Sequence, residues 1–189
     1  MSKKDSGSTI GAIVIIIIIA IIFGVIKGCN AVVQYFSEGS VQEQAQIVLD
    51  FEKEVYSIEL QTEDIGKQVA TELNKIADHN IPDLDLIDKA EDKFMSASNQ
   101  LKSLDIPSGL TEEREIELED IKTDFEQAYA FKSYAMMNFS KYLINHDEKD
   151  LQEFVEMTSL AQDNLTGAIA GIAMLKKELG VVDVDVSKQ

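Results

Sequence analysis

Two histidines, one cysteine and thirty-four carboxylates are the side chains of this sequence most able to ligate a metal, move a proton or attack an electrophile. A di-iron site in a helical protein needs a Glu three residues before a His on each of two helices. The residues three before His79 and His146 are Ile76 and Leu143, so that site is not expected, and two histidines are too few for a helical zinc-protease motif. Asp83, Asp85 and Asp88 offer hard oxygen ligands but lack the central Gly and distal Glu of a calcium loop. Their position at the start of an apolar-periodic stretch predicts helix capping and dipole complementation instead. There is no glycine-rich phosphate loop and no G-x-S-x-G elbow. Carboxylates occur on every periodic segment, so no pair stands apart as acid and base. The expectation is a non-enzymatic chain with no catalytic residue, no metal and no cofactor.

Two further patterns bear on chemistry. Asn138-Phe139-Ser140 and Asn164-Leu165-Thr166 match the glycan acceptor sequon, yet both lie inside helical periodicity with Phe139 and Leu165 on the core side, so chance is the better reading. Tyr129, Phe131, Tyr134, Phe139 and Tyr142, with Met136 and Met137, make one segment apolar on more than one face. Tyr134 and Met137 fall off its main stripe and form the candidate face for a partner or ligand.

The elements that position these residues follow from apolar spacing. From Val41 onward apolar residues recur every three or four positions, and nothing alternates with a strand period. The first stripe runs from Val41 through Val48, Phe51, Val55 and Val69 to Ile76 and ends near His79 and Asn80, with Pro82 beyond. The second starts around Pro82 and Asp83, carries Ile87, Ala90, Phe94, Ala97, Leu101 and Leu104, and breaks at residues 105–109. The third opens at Thr111 and carries Leu118, Ile121, Phe125, Ala128, Ala135 and Phe139 to a turn at Asn145 and His146. The fourth opens with Asp147 as its N-cap, carries Phe154, Ala161, Leu165, Ala168, Ile172 and Leu175, and ends at Gly180.

Four amphipathic helices joined by short loops bury their stripes against one another, which predicts an all-α fold: an antiparallel up-down four-helix bundle behind an N-terminal transmembrane helix. The short second helix predicts an end only three helices thick. Gly167, Ala168, Ala170, Gly171 and Ala173 predict close approach of a neighbour to the fourth helix.

Residues 10–26 carry no charge and hold ten Ile, two Val and one Phe. As a helix this run is about 25 Å long, enough to enter a lipid bilayer. Lys3, Lys4 and the amino terminus precede it and Lys27 follows, so the positive-inside rule places the N-terminus in the cytoplasm. The implied organisation is a cytoplasmic 1–9, a signal anchor 10–28, a juxtamembrane linker 29–40, an extracytoplasmic bundle 41–180 and a flexible tail 181–189. Two other fates of the leader remain open. Residues 26–29, Ile-Lys-Gly-Cys, resemble a lipobox, which implies lipid attachment at Cys29, although Lys27 departs from the small or aliphatic residue of that pattern. A short basic leader before Gly7 resembles that of pilin-type signals, without the glutamate that opens their helix.

The net charge is −17, and residues 1–29 carry +2 of it, leaving −19 on the remainder. Such a domain is repelled by phosphate backbones and anionic headgroups, which excludes nucleic acid and favours a basic partner. The architecture is like that of small anchored bundle proteins of cell envelopes, a likeness that rests on no motif. The functional expectation is a cell-membrane, single-pass protein with a binding or adaptor role towards a protein or peptide; the alternative is a small-molecule sensor or carrier.

Overall fold

The computed structural model describes residues 39–77 and 82–181. The anchor, Cys29, His79 and the tail beyond 181 lie outside the described residues. The described chain is all-helical: α1 (Gly39–Ala77), α2 (Leu84–Lys102), α3 (Glu112–Asn145) and α4 (Glu148–Glu178). No strand occurs among the described residues, and none of these helices is long and apolar enough to cross a membrane.

Helix ends fall where the capping chemistry puts them. Asp83 is the N-cap of α2, its carboxylate accepting the Leu86 N–H at 3.4 Å, so the helix begins just after the expected Pro82. Asp147 caps α4 by accepting the Lys149 N–H at 2.9 Å. Thr111 caps α3 without using its side chain, and its N–H donates to Gln44 on α1 instead. Three glutamates in the first turn of α3 face the positive end of its dipole. The turn between α3 and α4 is made by His146 in the left-handed region (φ 57°), its N–H returning to the Tyr142 carbonyl at 2.8 Å. Gly180, at φ 72°, closes α4 with two returning bonds, Gly180 N–H to Lys177 O and Val181 N–H to Lys176 O. That turn packs Val181, which the spacing assigned to the tail, against the core.

Cross-helix contacts establish the up-down-up-down order. On α1 and α3, which run parallel, Gln44 accepts from Arg114 and Glu59 accepts from Tyr129. Gln61 with Gln100, and Glu72 with the Asp83 N–H, set α2 antiparallel to α1. Asp88 with Ser140 sets α3 antiparallel to α2, and Phe139 against Phe154 sets α4 antiparallel to α3. Lys176 reaches both carboxylate oxygens of Glu52 at 3.1 Å and closes the bundle between α4 and α1. Each helix therefore packs on two neighbours, with α1 diagonal to α3.

α2 is the short helix, 19 residues against 39 for α1. Where it stops, Leu104, Ile106 and Leu110 of the α2–α3 loop pack onto the core in its place. Lys122 holds that loop by donating to the Leu104 carbonyl at 3.2 Å. Gly109, at φ 110°, lets the loop pass over Ile47.

α3 and α4 meet most closely at glycine. A Cβ on Gly171 would lie 2.7 Å from Ile121 Cγ1, whereas one on Gly167 would meet only the swinging carboxylate of Asp124 at 3.2 Å. Packing relief is thus the role of Gly171, while Gly167 leaves room that a methyl group could fill. Gly171→Ala should overpack the contact and destabilise by about 1–2 kcal/mol. Gly167→Ala should gain up to about 1 kcal/mol from helix propensity. Urea denaturation midpoints of the two variants check the contrast; equal midpoints would refute the close contact at Gly171.

Candidate functional site

α3 is the helix on which sequence placed the candidate face, and the structure divides that face in two. Tyr134 is 43% exposed and points away from the core, while Met137 is half-buried. Neither lines the cavity that lies beside them. That cavity is bounded by Lys132, Ala135 and Met136 of α3, with Phe94 of α2 and Thr158, Ala161 and Gln162 of α4. Its volume is about 10 Å³, room for at most one water and far short of the several hundred Å³ of a small-molecule site. The buried Oε1 of Gln162 has no hydrogen-bond partner among the described residues, and its amide nitrogen donates to Thr166.

A polar and aromatic cluster stands next to that cavity. Tyr129 is buried, and its hydroxyl crosses the bundle to donate to Glu59 at 3.2 Å. Its ring packs 6.4 Å from that of Phe94, tilted by 52°. Lys132, one turn further along α3, places its ammonium 4.4 Å from the Tyr129 ring centroid and 5.9 Å from that of Phe94. No carboxylate lies within 4.0 Å of this ammonium among the described residues. The aromatic faces and the more distant charge of Glu59 hold it.

The three titrating groups shift together for one reason. Burial pushes Lys132 down to about 8, against the pull of the Glu59 charge. Burial raises Glu59, opposed by Lys132 and by the Tyr129 hydroxyl. Burial, reinforced by the Glu59 charge, raises Tyr129 strongly. Desolvation therefore outweighs pairing at every member. The cluster is a set of partly desolvated groups beside a cavity of about 10 Å³.

Several of the other residues singled out by sequence have structural roles. Asp83 is the α2 cap and Asp88 accepts from Ser140. No group of three His, Cys, Asp or Glu side chains able to hold a metal comes together among the described residues. His146 forms the turn and sits edge-on to Tyr142 at 6.3 Å. Asn138 is buried, and Asn164 donates to the Leu160 carbonyl, so neither sequon offers a glycan a free amide. Sequence reading missed Glu59 and Lys132, because the pairing that matters spans α1 and α3. The one visible signal was Lys132 three residues after Tyr129, on the same side of α3.

The chain matches no protein-family model, and no curated protein or solved structure is significantly similar to it.

The sign of the Lys132 shift makes a measurable pH dependence. Its native pKa lies below its unfolded value of 10.5, so between about 8 and 10.5 the unfolded chain binds more protons and stability rises with pH. Relative to a Lys132→Met variant, the wild-type chain should gain stability across that window. Urea denaturation of both proteins at pH 7.5, 9 and 10 reads the difference; parallel pH profiles would refute the depressed pKa.

Proposed function

We propose that this chain is a membrane-tethered helical-bundle protein whose bundle lies outside the cytoplasm and acts by holding a protein or peptide partner, without turnover. The observation that supports this reading most directly is a filled interior beneath an unfilled surface. The cavity between α2, α3 and α4 is about 10 Å³, while large apolar side chains such as Ile116, Tyr134 and Ile144 on α3 face solvent. A partner macromolecule would find its apolar contacts on this surface rather than in the interior. The charge of −19 on residues 30–189 favours a basic partner and disfavours nucleic acid. Tethering through residues 10–26 would raise the local concentration of such a partner at the bilayer surface.

Three measurements test the reading. The intact mass of the protein extracted from its native membrane should be that of the full chain; a mass for residues 29–189 plus a diacylglycerol would replace the signal anchor with a lipid at Cys29, and a cut after Gly7 would replace both. A photo-crosslinking amino acid at Tyr134 should yield a protein adduct in native membranes. Thermal-shift screening should give no stabilisation by small molecules, and a clear shift with any of them would favour a carrier.

A further inference from the structure

α4 carries the longest uncharged run among the described residues, the twelve positions 164–175 of a chain that is 27% charged. One side of this run is used inside the bundle. Leu165, Ala168, Ile172 and Leu175 are buried, and Gly167 and Gly171 lie against α3. The other side faces solvent, and there Ile169, Ala170, Ala173 and Met174 are exposed, Met174 by 64%. The apolar surface continues onto α1. The Glu52–Lys176 pair fixes the antiparallel register of the two helices. One turn on from Glu52, Tyr56 lies level with Ile172 and Ala173; a further turn brings Leu60 level with Ile169. Tyr56 and Leu60 are both exposed.

The charges at the two ends of the α4 face identify its occupant. Asp163 and Lys177 are exposed, and they bracket the run seven residues either side of Ala170. Seven residues are close to two helical turns, so Asp163, Ala170 and Lys177 lie along one line of α4. If a second α4 is turned antiparallel about a two-fold axis at Ala170, Asp163 of each copy comes opposite Lys177 of the other. Parallel pairing would set like charge on like. Two copies bearing −19 each repel wherever their acidic faces meet, and this uncharged face is where they can close without that repulsion.

We propose that α4 is the contact of a two-fold symmetric dimer of this chain, antiparallel α4 on α4 with Ala170 at the axis. The contact is isologous, so each residue of the face serves both sides. Ala170 and Ala173 let the helix axes approach closely, and Ile169, Met174, Tyr56 and Leu60 are covered on either flank. This inference is independent of the partner proposed above and needs no membrane.

The test uses the full-length chain, with Cys29→Ser so that the native thiol is removed. With Ala170→Cys added, mild oxidation should yield a disulfide-linked dimer, while Ser96→Cys, exposed on α2 away from α4, should not. By sedimentation equilibrium, Ala173→Glu should raise the dimer dissociation constant at least tenfold, an order-of-magnitude expectation for a charge at a contact centre. At concentrations where both proteins are monomeric its thermal melt should match that of the wild type, because Ala173 is exposed. Lys177→Asp should weaken the dimer several-fold, and adding Asp163→Lys should restore it, since the double reversal keeps opposite charges across an antiparallel contact only. A monomeric full chain would overturn the proposal and leave the face to the N-terminal apolar segment or to an unlike protein. A dimer indifferent to Ala173→Glu, or a double reversal that fails to recover, would overturn it as well.

Discussion

The distance between α3 and α4 is the constraint on which the rest of the bundle depends. It is set at Gly171, where the absent side chain admits Ile121, and at the far end by the Phe139 and Phe154 rings at 4.9 Å between centroids. With those two levels fixed, α3 presents Leu118, Phe125, Ala128 and Tyr129 inward as a wall against which α1 and α2 complete the core. A larger residue at 171 would wedge the pair apart and open every layer between them, because close-packed interiors have no slack to absorb it.

Apolar burial alone would leave the four helices free to slide, since one Leu layer resembles the next. Polar contacts between distant segments select a single register: Gln44 to Arg114, Glu59 to Tyr129, and Lys176 to Glu52. These groups give up hydration to do so, and their net contribution to stability is small beside their contribution to specificity. The Glu59–Tyr129–Lys132 cluster shows that cost most plainly, since burial shifts all three groups towards their neutral forms.

The surface follows a different rule from the core. The sequence carries two carboxylates for every basic side chain. α4 departs from that rule because its small residues serve packing on one side, and the same uncharged stretch leaves an apolar strip on the other. A helix that is close-packed on α3 and still uncharged towards solvent has two faces of use. The cavity beside Lys132, by contrast, has room for at most one water.

Much of the architecture was legible without coordinates. Helical spacing from Val41 onward, the caps at Asp83, Thr111 and Asp147, the turn at His146 and the stop at Gly180 are local consequences of residue type, and they appear where the spacing placed them. The short second helix and its thinner end were readable too, though not the loop residues Leu104, Ile106 and Leu110 that fill it. The exposure of the side chains around Tyr134 followed from helix phase only in part. Tyr134 is exposed as its phase on the helix implied, but Met136, one residue before the named Met137, lines the cavity. Sequence by itself determined the helices, their ends and the charge they carry, because hydrogen bonding and capping act within a few residues. Only the tertiary structure decided which faces meet, that Glu59 shares its environment with Lys132, and that one side of α4 stays open, because those outcomes depend on contacts between segments tens of residues apart.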